Sequence, residues 1–393
     1  MRATFVKCAG IALAATAMVG AAMVPAQADP PPTGALSGTG SDTTQDVVQA
    51  LSAGSSGLIE NWHASREVGT PPVTVIHDPI VVKGVTITRP NGSSEGRDAL
   101  FRSMGANVTT SWAVQGGVDR SVPVGSGILG FARSSSQPPS AEVSASGDVT
   151  YIPFALDAVS WATAPGALSG VSLTVAQLNS LYEDCATVTV GATTLNPSQP
   201  GGNVDLFAPQ SGSGTRSFWQ TTVAPAGFGP CVFDRYNTTT GQPVTTGGSI
   251  NQEHDGTVTS LNATAITPYS IAQWVAQANG TASSDRRHGA VLHQIAGVNA
   301  TNGTGPFTTN PNFPVTRPVF NIVPTAQLNG LPKNNNTEFA FWDPTPGTTA
   351  DAPPTCTNTS AITSLGFILL TANPTDPWNC GDAALRAYPN LLP

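Results

Sequence analysis

The residues best suited to chemistry form one stretch, Ser211-Gly-Ser-Gly-Thr-Arg-Ser-Phe-Trp219. It follows an alternating run, Asn203–Phe207, that predicts a short strand, and it leads into Ser217–Thr222, the first turns of a helix. A small turn between a strand and a helix presents backbone N–H groups, the positive end of the helix dipole and hydroxyls to a single anion. Gly212 and Gly214 let the backbone come close because no Cβ stands in the way. Ser213 and Thr215 add donors, and Arg216 offers a charge-assisted one. An ordinary helix cap has the same composition, so the stretch gains meaning only if others like it occur.

They do occur. Gly38–Thr44 carries Ser41, Asp42 and Thr43 ahead of a helical pattern over 45–51, with Asp42 or Thr43 as the expected N-cap. A predicted strand at Val85–Thr88 runs into Asn91–Gly96, which holds Ser93 and Ser94, and then into a helix from Arg97. An apolar strand over Gly127–Ala132 is followed by Arg133, Ser134, Ser135 and Ser136. Tyr151–Trp161 reads as a crossing strand, and Val319–Val323 as another. Thr174 and Gln177 make a capping box for a helix that places Leu178, Leu181 and Tyr182 on one face. Strands alternating with helices predict an α/β fold of mixed sheets flanked by helices. In such sheets ligands lie beyond the carboxyl ends of strands. Hydroxyl-rich loops at several such ends therefore predict one anion-binding cleft between two lobes.

Composition sets the bounds. A basic tip (Arg2, Lys7), an apolar run over Ala9–Val24 and Ala26-Gln-Ala28 predict a signal peptide over 1–28 with cleavage after Ala28. A proline-rich, flexible leader is expected over 29–36, and Ile362–Ala372 is too short to span a bilayer. The chain carries 24 acidic residues, and losing Arg2 and Lys7 leaves 14 of its 16 basic ones. That balance excludes nucleic acid and anionic membranes as partners, since both need a basic face. Removing Cys8 leaves Cys185, Cys231, Cys356 and Cys380. An even number in an exported chain predicts two disulfides. Of the three possible pairings, Cys185–Cys231 and Cys356–Cys380 each fall within one structural segment and are preferred. With no C-x-x-C element, no metal site is expected, and nothing calls for a cofactor.

The ordered set of loops resembles the phosphate-binding proteins of ABC transporters, within the two-lobed (type II) solute-binding class. Gly38–Thr44 is similar to that family's first loop, Gly92-Ser-Ser-Glu-Gly96 to its second, Phe131–Pro138 to its third and Gly212-Ser-Gly-Thr215 to its fourth. The resemblance spans roughly residues 36–330. It implies a periplasmic-binding-protein-like fold whose lobes comprise 37–152 plus 270–393 and 153–269. It also implies an oxyanion ligand, phosphate first, held by Ser93 or Ser94, Ser213, Gly214 and Thr215. Pro209 stands where the family has an arginine, and serine (Ser135 or Ser136) where it has the aspartate that accepts the ligand's proton. Arg133 or Arg216 is expected to restore the positive charge, and Asp42 the acceptor. An ABC permease is the implied partner, with the protein a monomer, secreted or cell-wall associated.

Two other readings use the same scaffold: an extracellular phosphatase-like hydrolase, and a surface interaction protein without a ligand. Gly-x-Ser-x-Gly fails at Ser211, and the histidines have no partners at ligand spacing. Glu253-His-Asp255 is the best acid–histidine cluster, but three adjacent residues are not expected to face one site. N-terminal sequencing of protein recovered from the culture medium should begin at Asp29; a lipid-modified or membrane-bound form would contradict export by cleavage after Ala28.

Overall fold

A computed structural model describes residues 34–69, 73–197, 201–346, 351–370 and 378–392. The expected signal peptide and most of the leader lie outside the described residues. The elements that build the site are β1 (Leu36–Gly40), α1 (Gln45–Ala53), β2 (Ile59–Asn61), α2 (Ser93–Met104), β3 (Phe131–Ser134) and β4 (Val149–Thr163). They continue with α3 (Val175–Tyr182), β5 (Asp205–Phe207), α4 (Gly214–Val223), β6 (Val232–Phe233), β7 (Ala265–Ser270), α5 (Ile271–Ala278) and β8 (Thr316–Pro324).

One curled sheet joins the strands in the order β6-β5-β7-β4-β8-β3-β1-β2. At each end the pairing is parallel: β2 with β1 and β1 with β3, and β6 with β5 and β5 with β7. The long strands β4 and β8 run antiparallel between them, with Asp157 opposite Arg317. The two parallel ends thus hang on a central pair of crossing strands. This is a mixed α/β architecture, and its parallel strands send their carboxyl ends toward the middle of the molecule.

Packing follows the same division. One core gathers Trp161, Leu178, Tyr182, Leu206 and Trp219, and also takes in Ile295, Phe313 and Val315. At the other end Val47, Val48, Ile152 and Val319 pack on one face of the sheet, and Leu100, Phe101, Tyr151 and Phe320 on the other. The alternation of 151 with 152 and of 319 with 320 is the two-residue period of a sheet covered on both faces.

Local expectations hold where a physical cause is local. Thr174 and Gln177 form the capping box that starts α3, and Ser213 caps α4 by accepting from the Arg216 N–H. Both expected disulfides are present, Cys185–Cys231 and Cys356–Cys380. Three details differ. The strand expected over 127–132 begins only at Phe131, because Gly125 and Gly127 take φ of 72° and 63°, which breaks an extended run. The leader expected to reach residue 36 ends earlier, since Leu36 is already paired with Ile59. Thr44, not Asp42 or Thr43, holds the N-cap position of α1, with no side-chain hydrogen bond, because Asp42 is turned to an arginine.

Helix α2 lies so close to β1 that a Cβ at Gly96 would run into the Cα of Gly40. Backbone cannot step aside as a side chain can. Gly96→Ala should therefore destabilise the protein by about 1–3 kcal/mol, the range of an overpacked core. A urea-unfolding midpoint equal to that of the parent would contradict this.

Candidate functional site

The loops that follow β1, β3 and β5 meet the N-terminus of α2 at the crossing of β4 and β8. Ser135 Oγ, just past β3, lies 2.9 Å from Ser41 Oγ, 3.1 Å from Thr43 Oγ1 and 3.4 Å from Ser93 Oγ. Ser93 Oγ also accepts from the Ser135 N–H at 3.0 Å. From the other half, Thr215 Oγ1 stands 3.3 Å from Thr43 Oγ1. At Gly214, a Cβ would strike the hydroxyls of both Ser135 and Ser93. Glycine there is what lets the start of α4 meet the loops of the opposite half. Ser41, Thr43, Ser93, Ser135, Ser213, Gly214 and Thr215 are thus brought together, all buried.

Their charge comes from Arg317, which sequence reading did not single out. Its Nη2 donates to Thr215 Oγ1 at 2.8 Å and Thr43 Oγ1 at 3.2 Å, and to Asp157 Oδ2 at 2.8 Å. Phe218 lies under the guanidinium, 5.4 Å from ring centre to Cζ. Arg317 Nη1 is buried and has no hydrogen-bond partner among the described residues. The arginine also lines a cavity of about 540 Å³ with Ser94, Pro138, Phe218 and Pro318.

The remaining expected residues sit elsewhere. Arg133 is fully buried but turned away: it donates to the carbonyls of Gly40, Ser41 and Trp62 and to Asn61, fixing the turn after β1. Burial pushes its pKa down to about 9. Arg216 reaches Pro209 O and Asp234 and stacks over Phe228, on the outer side of α4. Ser94 stands half-buried on the wall of that cavity. Asp42 lies under the cluster, both oxygens taken by Arg286 at 2.9 and 3.1 Å. The acceptor expected of it is thus engaged in an ion pair with an arginine. Burial opposes the charge on Arg286, but Asp42 outweighs it and raises that pKa.

Of Glu253, His254 and Asp255, the structure brings two into the cluster and turns the third away, so a role for the first two was missed. His254 adopts φ of 60°, a left-handed conformation that turns successive side chains toward one side. Glu253 Oε2 accepts from Ser213 Oγ at 2.5 Å and from the Thr215 N–H at 3.3 Å. His254 Nε2 lies 2.9 Å from Thr43 Oγ1. Asp255 turns away from the cluster, accepting from Thr74 and Thr257. Burial, with the nearby Asp42 charge, raises the Glu253 pKa. Burial, with the charges of Arg317 and Arg286, drives that of His254 well below 6.5.

The halves close on each other around this cluster. Ser94 N donates to Gly212 O at 3.1 Å and Asn91 Nδ2 to Gln252 Oε1 at 3.0 Å. A guanidinium, several hydroxyls and the N–H groups at the head of a ten-residue helix converge on one point. Such a set can surround an ion with several acceptor oxygens.

No protein-family profile matches the chain, and no curated protein matches it in sequence. Among solved structures it is similar to an ABC-type phosphate transport receptor from Vibrio cholerae, at 13% identity and a TM-score of 0.44, over 85% of this chain and 99% of that one. A phosphate-binding protein from Stenotrophomonas maltophilia is similar at 14% identity and a TM-score of 0.40, over 86% and 91% of the two chains. Likenesses this distant carry no conclusion about the site, whose chemistry rests on its own geometry.

A neutral buried histidine must stay unprotonated in the folded state while the unfolded chain binds a proton below its ordinary pKa of 6.5. Its contribution to stability is therefore complete above 6.5 and lost as the pH falls below it. His293, held down to about 4 by burial, acts with the same sign. His254→Gln should remove one of these two proton terms, flattening the fall of unfolding free energy between pH 7 and 5 by up to about 1.4 kcal/mol per pH unit. Equal pH slopes for variant and parent would show that His254 is not held neutral.

Proposed function

We propose that this chain is an exported solute-binding protein that captures a small tetrahedral oxyanion, phosphate first, between two lobes and presents it to an ABC permease. The division into lobes belongs to the same proposal. One observation supports it above the others: Arg317, on a crossing strand, donates at once to Thr43 of one half and Thr215 of the other. An ion seated there would tie the halves together. Neutral donors and one guanidinium suit a protein poor in lysine, since a desolvated anion gains more from fixed nearby dipoles than from distant charge.

The contact between His254 and Thr43 is what a hydrolase reading would use. The orientation of the ring argues against it. His254 Nδ1 accepts from the Ser270 N–H at 3.4 Å, so the proton of the neutral ring belongs on Nε2, which then donates to Thr43 Oγ1. A ring that donates to the hydroxyl cannot take its proton, and Thr43 has no base.

Calorimetric titration with phosphate and with sulfate tests the reading. Thr215→Val removes a hydroxyl and should weaken phosphate binding by about 1–3 kcal/mol, roughly five- to 150-fold. Undiminished affinity in the variant would place the anion elsewhere, and turnover of a phosphate ester by the parent would favour the hydrolase.

A further inference from the structure

The donor set at the head of α4 already holds an anion-forming group of the chain itself. Glu253 Oε2 takes the Ser213 hydroxyl at 2.5 Å and the Thr215 N–H at 3.3 Å. This uses the one proton of the Ser213 hydroxyl, whose oxygen also accepts from the Arg216 N–H at 3.0 Å. The glutamate is wholly buried, and its other oxygen, Oε1, has no hydrogen-bond partner among the described residues. A buried carboxyl with one oxygen bound and one bare is costly unless something else engages it. The unpartnered Arg317 Nη1 belongs to the same cluster.

We propose that the Glu253 carboxylate is a built-in occupant of the oxyanion seat, and that an incoming phosphate must displace it from Ser213 and the Thr215 N–H. The proposal rests on the oxyanion-binding reading above and adds what that reading lacks, a competitor within the chain. Two anions cannot share one set of donors, so the negative charge of Glu253 opposes that of the ligand. Protonation removes the conflict, and phosphate capture is thereby linked to proton uptake at this residue.

Every element packed around the carboxyl bears on that balance. The Asp42 carboxylate, ahead of α1, disfavours the charged form, and Arg317 of β8 favours it. Arg317 is itself paired with Asp157, and Asp42 with Arg286. His254 Nε2, 3.6 Å from Oε2, stays neutral. The start of α4 contributes only its neutral donors and dipole.

The test compares phosphate dissociation constants of the parent, Glu253→Gln and Glu253→Ala at pH 5, 6 and 8, with thermal unfolding as the check on folding. Gln keeps the shape without the charge; Ala removes the occupant. Phosphate's own titration is common to all three proteins and cancels in the ratio of parent to variant. That ratio should lie near one at pH 5 for Gln and rise above tenfold by pH 8, with Ala also tighter than the parent at pH 8. Phosphate bound by Ala but not measurably by the parent at pH 8 would be the same result in stronger form. If the parent binds phosphate and both folded variants bind no better at pH 8, the proposal falls while the oxyanion reading stands. Should only one variant fold, its ratio at pH 8 decides alone. If neither phosphate nor sulfate binds any of the three at any pH, the oxyanion reading falls and this proposal with it.

Discussion

The ion pair of Asp157 with Arg317 is the interaction on which the rest of the site depends. The two residues face each other across the antiparallel register of β4 and β8, so the sheet itself sets their separation. Asp157 is completely buried and Arg317 nearly so. A buried pair is costly unless its remaining donors and acceptors are met, and among the described residues Arg317 Nη1 is left unmet. Asp157 Oδ1 accepts from Ser270 Oγ at 2.8 Å and from the Ala272 N–H at 3.2 Å, at the positive end of α5. Arg317 Nη2 reaches the hydroxyls of both halves. Breaking the pair would free a helix end, a crossing strand and two loops together.

Around that pair the buried charges are arranged in opposition. Arg286 answers Asp42, Arg317 answers Asp157, and His254 is kept neutral by burial and by both arginines. Glu253 differs from these pairs: no arginine or lysine is among its hydrogen-bond partners, and its pKa is driven upward. Low dielectric makes each imbalance expensive. This carboxyl, with no cation among its hydrogen-bond partners, lies within the hydroxyl cluster, where an external charge would matter most. Arg133, equally buried, is used for architecture: its donors fix the carbonyls of the turn that carries Ser41.

The overall acidity of the chain is compatible with an anion site for the same reason. Distant surface charge is screened within about a Debye length, whereas hydroxyls and helix N–H groups act at contact. Closure matters more than net charge. Glycines at 92 and 214 permit it: a Cβ at Gly92 would meet Gly212 O at 2.6 Å, and one at Gly214 would meet the Ser93 and Ser135 hydroxyls.

Much of the fold was legible in the sequence because its causes are local. Helix caps, the capping box at Thr174, the alternating strands and the glycine turns declare themselves within a few residues. The hydroxyl loops containing Ser41, Ser93, Ser135 and Ser213 were visible for that reason, and the observed cysteine pairing was the one of three that keeps each pair within one segment. The charged partners of those hydroxyls were not visible. Arg317 gains its role from a strand register with a residue 160 positions earlier, and Arg286 from a salt bridge across 244 positions. Glu253 and His254 face one site only because a left-handed φ at His254 turns both inward, a conformation no propensity forces on histidine. Asp42 illustrates the same limit: as a residue before a helix it reads as a cap, and only the folded chain gives it an arginine instead. Local sequence determined which groups could hold an anion; long-range packing decided which charges stand beside them, because electrostatic partners are chosen by distance in space and not by distance along the chain.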